Sequence, residues 1–260
     1  MTPSRERAQA LILAGKVLVN EQKIEKAGAS IDTGATVRLL GEDLRYVGRG
    51  GLKLEKALEY WHIDLHGRTC LDVGASTGGF SDCMLQHGAA KVIAVDTGYG
   101  QMDFGLRNDS RMRLLEKTNA RYLQARDLQI NDPHAKDPGP KDLGPKDLAN
   151  GLSSESIGFI AMDVSFISAT LVLPAVIRAA SSALEIVVLV KPQFEAGREL
   201  VGKGGIVRDE SAQRAAVLRV ETALAELGCT HAEAIDSPIL GGEGNREFLL
   251  HAKLPSPGIC

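Results

Sequence analysis

No apolar run in this 260-residue sequence approaches the ~18 residues of a membrane span, so no transmembrane helix is expected. The opening residues, MTPSRERAQALILAGK, lack the long apolar segment and the small-residue cleavage site of a secretory signal. Cysteine is scarce: Cys70, Cys83, Cys229 and Cys260 are scattered, with no C-x-x-C pair among them. Neither a disulfide framework nor a zinc site is indicated, and the cytoplasm is the expected location. An excess of charge of either sign is also lacking. A formal net charge of −3 argues neither for nor against a nucleic-acid partner, so any basic surface has to be local. The first 60 residues hold ten basic and eight acidic side chains, which leaves the remainder at −5 and puts the basic character at the front. What is present is an ordinary globular composition, 44% hydrophobic and 24% charged, in a chain long enough for one or two domains.

The most informative stretch is RTCLDVGASTGGFSDC, Arg68 to Cys83. Cys70, Leu71 and Val73 form an apolar run too short for a helix, which predicts a buried strand. Gly74, Gly78 and Gly79 follow, and Phe80 opens a helix. Strand, glycine turn and helix N-terminus form the unit with which a doubly wound α/β sheet holds a nucleotide. The acidic residue expected about 20 positions on is Asp96, which ends the apolar run KVIAVD and would accept both ribose hydroxyls. The glycines fall as G-x-x-x-G-G, not as the G-x-G-x-x-G of dinucleotide sites. Asp72, inside the strand end, would repel a pyrophosphate. A ligand with a cationic end and no phosphate suits such a turn, and S-adenosylmethionine answers that description. Its expected contacts are Asp72, Gly74, Ala75, Ser76, Gly78, Gly79, Phe80 and Asp96. Two alternatives stand beside this reading: a tight turn with no ligand, and a hydrolase elbow, since Gly74 to Gly78 also matches G-x-S-x-G with Ser76 as nucleophile. The elbow requires several strands before it, and only about seventy residues precede it here.

At the front, Ser4 caps a helix in which Ala8, Leu11 and Ile12 share one face and Gly15 ends the run; Arg7 stands where a full capping box has Glu. KVLVN and TVRLL then read as short β pieces. The order Ser4, Arg5, Ala8, Leu11, Ile12, Gly15, Val17, Val19, Asn20 resembles the S4-like RNA-binding domain. That resemblance implies RNA contacts by Arg5, Arg7 and Lys16, directed to phosphates and not to bases. It also implies one helix before the Ser-Arg pair, so a trimmed domain with weaker RNA binding is expected. A glycine joint around Arg49 leads into an amphipathic helix bearing Lys53. Further on, GYGQMD follows Asp96 where an adenosine would lie, and Asp127 sits in a loop after the next strand as another cofactor candidate. From Asn131 to Ser156 the sequence is rich in proline, glycine and charge and repeats G-P-K-D-L, which predicts a mobile surface insertion.

IGFIAMDVSFIS predicts a strand ending at Asp163, EIVVLVKPQFE a very apolar strand ending at Lys191, and GEGNREFLLHAK places Glu247 at the start of a last strand. Ligands of doubly wound sheets lie beyond the carboxyl ends of the strands, so Asp163 and Lys191 should face the pocket begun by Gly74. A structural Lys–Asp ion pair is the plainer reading of those two. Lys53, Asp163, Lys191 and Glu247 match in order the K-D-K-E tetrad of the FtsJ-like ribose 2′-O-methyltransferases. With the S4-like front, R-G-G-x-K-L, LDVGASTGGFSD, DVSFIS and VKPQFEAGRELVGKGGIVRD, the chain resembles the TlyA family of ribosomal RNA 2′-O-methyltransferases, often named hemolysin A.

The resemblance implies a Rossmann-like, seven-stranded methyltransferase sheet over residues 47–260, with the insertion at 131–156, preceded by a small α+β S4-like domain over residues 1–46. It implies S-adenosylmethionine as cofactor without a metal, and ribosomal RNA, with cytidine as the modified nucleotide, in ribosomal subunits as partner. Lys191 would be the base, Lys53 and Glu247 would orient it, and Asp163 would lie near the methyl group. A lysine can serve so only if desolvation or a neighbouring cation lowers its pKa. Arg198, Lys203 and Arg208, on a glycine-rich loop after Lys191, suit the phosphates of an extruded nucleotide. His231 and His251 read as structural or surface residues. Two further functions compete: a non-catalytic RNA-binding or assembly factor, which a degraded tetrad would favour, and a membrane-active hemolysin, which would need an amphipathic or apolar element that the sequence does not offer.

Overall fold

The computed structural model describes residues 5–20, 22–39, 45–128, 156–241 and 244–255. The chain forms two compact units, Met1–Arg45 and Tyr46–Cys260. In the first, helix α1 (Arg5–Leu13) precedes a three-stranded antiparallel sheet of β1 (Val17–Val19), β2 (Gln22–Ile24) and β3 (Val37–Leu39), ordered β2-β1-β3. Gly15 does end the helix. At φ 63 it closes a Schellman turn in which Lys16 N donates to Leu11 O and Gly15 N to Ile12 O. Asn20 then pins β1 to the chain before β3, since Asn20 N donates to Thr36 O and Thr36 N to Asn20 Oδ1, each at 2.9 Å. Ser4 and most of the 131–156 insertion lie outside the described residues, as does Cys260.

The second unit is built on seven strands: β4 (Thr69–Val73), β5 (Lys91–Val95), β6 (Met112–Leu115), β7 (Ile157–Met162), β8 (Glu185–Val190), β9 (Thr230–Asp236) and β10 (Phe248–Lys253). Their order is β6-β5-β4-β7-β8-β10-β9. The pairs from β6 to β8 are parallel, and β10 runs antiparallel between β8 and β9. The helices are α2 (Gly50–Tyr60), α3 (Gly79–Gln86), α4 (Phe104–Arg107), α5 (Ala125–Leu128), α6 (Leu173–Ala179), α7 (Pro192–Glu195) and α8 (Glu210–Glu226).

Alternation along the strands decides which face each side chain serves. Leu71, Val73, Ile93, Val95, Ile160 and Met162 pack in one buried cluster with Leu173 and Val176 of α6 and Val220 and Leu224 of α8. Their neighbours Cys70, Val92, Ala94, Phe159 and Ala161 pack in the other with Leu54 and Leu58 of α2 and Phe80 and Met84 of α3. Both sheet faces are thus covered, which is why β4 is buried along its whole length. The strand order reverses beside β4: β5 and β6 lie on one side, β7 and β8 on the other. A crevice therefore opens above the carboxyl ends of β4 and β7.

Candidate active site

Each glycine of the turn after β4 has a separate steric reason. Gly74 holds φ 87, and a Cβ there would stand 2.3 Å from the backbone oxygen of Asp163, on the neighbouring strand end. Gly78, at φ 97, is the N-cap of α3, and its Cβ would strike Leu106 and Met102. Gly79 lies against the backbone of Gly48, Gly50 and Gly51, so α2 and α3 approach without side chains between them. Ser76, between these glycines, adopts φ 49 and donates its N–H to Asp96 Oδ2 at 2.7 Å. Its hydroxyl meets Gln101 Oε1 at 3.5 Å, and no histidine among the described residues bonds it, so the elbow reading lacks its histidine.

Asp96 follows β5. Its second oxygen receives Gly98 N–H at 2.6 Å, so the carboxylate is fixed by two backbone donors and keeps lone pairs toward the crevice. Asp72 is fully buried in β4 and accepts the Ser81 hydroxyl at 2.6 Å through Oδ2, while Oδ1 has no hydrogen-bond partner. Burial pushes its carboxyl up to about 7, with Asp163 and Asp96 adding to the rise. A cavity of ≈ 440 Å³ opens above the strand ends, and Gly74, Ser76, Asp96 and Asp163 line it. Asp72, Ala75, Gly78, Gly79 and Phe80 stand behind it and build the turn. Sequence reasoning did not single out Gln101, Asn119, Ser165 and Phe166, which also line the cavity. Their position just after strands was the available signal.

Asp127 does not reach this cavity. Its carboxylate takes Gln124 N–H at 2.9 Å in the first turn of α5, and it lines a different hollow with Arg113, Lys117 and Arg126. Local capping, not the ligand cleft, claims this side chain.

The four residues of the tetrad form two ion pairs, one buried and one partly buried. Lys53, on α2, donates to Glu247 Oε2 at 2.5 Å, with side chains 10% and 3% exposed. Lys191, directly after β8, places Nζ 2.5 Å from Asp163 Oδ1. Its hydrogen bond runs to Ser165 Oγ at 2.7 Å, so Asp163 Oδ1 is held by charge and not by a directed N–H. The sheet explains the grouping. Asp163, Lys191 and Glu247 sit at the same edge of the adjacent strands β7, β8 and β10, and Phe248 lies opposite Val190, which carries Glu247 next to Lys191. Each ammonium has its own carboxylate. Asp163 belongs to both the cavity wall and an ion pair, and so joins the two parts of the site.

Around the site, Phe166 holds φ 65; the residue is 92% exposed, and its ring centroid lies 5.4 Å from that of Phe194. Arg49 is exposed just before α2, and Lys203 and Arg208 are exposed on the loop before α8. Asn245, 1% exposed, ties that loop to the Glu247 segment by accepting Val207 N–H and donating to Gly205 O. Arg5 and Lys16 are exposed on the first unit. The side chains of Arg7 and Arg198 lie outside the described part.

Comparison with known proteins agrees with this geometry. The family described as FtsJ-like methyltransferase matches residues 46–254, and the S4 domain family matches residues 1–37. The chain is 40% identical over 252 residues to the 16S/23S rRNA (cytidine-2′-O)-methyltransferase TlyA of Mycobacterium tuberculosis, covering 95% of this chain and 83% of that protein. It is 38% identical over 250 residues to Hemolysin A of Brachyspira hyodysenteriae, covering 96% and 94%. A solved structure from Streptococcus thermophilus that carries a hemolysin name superposes with a TM-score of 0.71 at 39% identity, over 98% of this chain and 85% of that one. The chain belongs to the FtsJ-like methyltransferase family, whose methyl donor is S-adenosylmethionine, and within it to the TlyA group.

Proposed function

We propose that this protein methylates a ribose 2′-hydroxyl of ribosomal RNA in the cytoplasm, with cytidine as the modified nucleotide. The observation that carries the reading is the joining of two sites at Asp163. One is a cleft lined by acids and free of Lys and Arg among the described residues; the other is a pair of Lys–carboxylate contacts, one buried and one partly buried. The cleft fits S-adenosylmethionine. Its glycine wall offers close backbone approach, Asp96 keeps acceptor capacity for the ribose diol, and the acidic lining suits a sulfonium and an ammonium but would repel a pyrophosphate. Bound there, the cofactor supplies an electrophilic methyl group.

The chain's own residues supply the rest. A ribose 2′-hydroxyl that takes the place of Ser165 Oγ beside Lys191 Nζ stands next to Asp163 and the cleft. Lys191 would take the hydroxyl proton as the oxygen attacks in line. Asp163 holds Lys191 in place, and Lys53, kept by Glu247, is a second cation on the same side of the sheet. Holding nucleophile and methyl in near-attack geometry accounts for much of the rate. Phe166 offers an open ring face on which an extruded base stacks. Arg49, Lys203 and Arg208 are placed for phosphates on the same unit, and Arg5 and Lys16 extend that role to the S4-like residues 1–46. We assign residues 47–260 to the catalytic domain.

The test is incorporation of labelled methyl from S-adenosylmethionine into ribosomal subunits and intact ribosomes, followed by mapping of the product. Label on a cytidine 2′-oxygen is expected. Label on a base, or binding of ribosomal RNA without any transfer, would sink the reading, the latter in favour of an assembly factor.

A further inference from the structure

The segment that carries Lys191 also carries a buried carboxylate that neither ion pair uses. Glu195, the last residue of α7, is 2% exposed. Its Oε1 accepts Ala169 N–H at 2.7 Å and its Oε2 accepts the Ser168 hydroxyl at 2.5 Å. Ser168 Oγ in turn receives Thr170 N–H at 3.2 Å and contacts Thr170 Oγ1 at 2.7 Å. Desolvation pushes the carboxyl pKa up, while the bonds from Ser168 and Ala169 favour the ionised form.

What these bonds hold is the loop 163–168. It has no helix or strand of its own, and Phe166 within it sits in the left-handed region at φ 65. For a bulky aromatic that conformation costs roughly 1–3 kcal/mol and persists only where the surroundings over-determine it. The strand end holds the loop's start, where Asp163 N donates to Val73 O at 2.8 Å, and Val164 and Ile167 pack against the core; the side-chain holds come from one short segment. Lys191 holds Asp163 and Ser165, the Phe194 ring lies against Phe166, and Glu195 holds Ser168 and Ala169. The same loop lines the cofactor cleft through Val164, Ser165, Phe166 and Ile167.

We propose that Glu195 is a positioning residue for methyl transfer. Its buried carboxylate locks the far end of the 163–168 loop to α7, so that Asp163, Ser165 and Phe166 keep one arrangement between Lys191 and the cleft. Glu195 touches neither of the groups that react. The role needs a hydrogen-bonding group at two points in one buried place, one facing an N–H and one a hydroxyl, and the Glu195 side chain reaches both. Glutamine keeps one acceptor for Ala169 and can turn its amide toward Ser168 Oγ; alanine keeps neither. The inference rests on the methyltransferase reading above.

The experiment uses the full chain with S-adenosylmethionine and ribosomal subunits, comparing wild type, Glu195→Gln, Glu195→Ala and Ser168→Ala. Misplacing the loop is expected to lower kcat for Glu195→Ala by ~10–100-fold with a clearly smaller rise in cofactor Kd, since the loop is only one wall of the cleft, and to lower kcat for Ser168→Ala by ~10-fold. Glu195→Gln should recover most of the loss. Amide NMR resonances of Ser165, Phe166 and Ile167 should move or broaden in Glu195→Ala while those of β4 and β5 stay in place.

Unchanged kcat with unmoved loop resonances would overturn the proposal. So would a fall in cofactor affinity and Tm that matches the fall in kcat, since that is the mark of a structural role alone. If Glu195→Ala does not fold, wild-type kcat in Ser168→Ala overturns it. If the wild type itself transfers no methyl, the reading of function fails, and the resonances then decide the positioning role by themselves.

Discussion

Single residues set the chemistry, and the two lysines are separable from the cofactor site. Lys191 pairs with Asp163 and bonds Ser165, while the cleft wall around Asp96 is built from backbone donors. Lys191→Ala is expected to remove methyl transfer while calorimetric binding of S-adenosylmethionine persists; loss of both would make Lys191 structural. Asp96→Ala should act in the opposite order. It removes the acceptor of two backbone N–H groups and, on the function proposed above, of the ribose diol, so cofactor Kd should rise by ~10–100-fold, about 1.4–2.8 kcal/mol.

Asp72 gives a residue-scale prediction in pH. Its carboxyl rises from 3.8 to about 7 on folding, mainly by burial. Below 3.8 both states hold the proton. Between 3.8 and about 7 the folded protein keeps a proton that the unfolded chain releases, so stability falls as pH rises through that window and the loss is complete above it. Melting of Asp72→Asn beside wild type should therefore shift in the variant's favour from pH 4 to pH 8. The change should be of order 4 kcal/mol. A pH-independent difference would show that the carboxyl is not protonated in the folded state.

At the scale of elements, α2 is a lever that presents Lys53. It meets α3 where Gly79 lies against the backbone of Gly48, Gly50 and Gly51, and a Cβ on Gly51 would overlap the buried Tyr46 ring at 2.2 Å. At its other end, the Trp61 ring stacks on His251 and Trp61 Nε1 donates to Glu233 at 2.8 Å. His251, read from sequence as structural or surface, is buried and bonded to Glu185 at 3.0 Å. Gly51→Ala is expected to displace α2, costing roughly 1–3 kcal/mol by overpacking and lowering kcat through Lys53. Denaturant unfolding and methyl transfer measured together check this. An unchanged Cm would mean that Tyr46 yields without cost.

For the whole molecule, residues 46–254 match the methyltransferase family and residues 1–37 the S4 domain, and the chain parts into two compact units at Arg45–Tyr46. Residues 46–260 expressed alone should bind S-adenosylmethionine with wild-type affinity. Their apparent KM for ribosomal substrate should rise ~10-fold or more as phosphate contacts are lost, with a shallower salt dependence. Equal KM and equal salt slope would leave residues 1–45 without a part in RNA capture.

Much of this molecule was legible in the order of its residues because the signals were local. Short apolar runs bounded by glycine marked the strands, Gly15 marked a helix end, and the spacing of Gly74, Gly78 and Gly79 marked a tight strand–helix turn. Asp163 and Lys191 were readable from their places at strand ends, whereas Lys53 and Glu247 joined them only by resemblance, since 194 residues separate those two. Tertiary structure decided what depends on contact across strands. It paired Lys53 with Glu247, and it gave Gly74 its role through the backbone oxygen of Asp163. It turned Asp127 toward its own helix and away from the cleft, and it buried Glu195 behind the loop that carries Asp163. Backbone preference and periodicity act over a few neighbours and are written in the sequence. Register, burial and ion pairing arise only when distant strand ends are brought to one edge of the sheet.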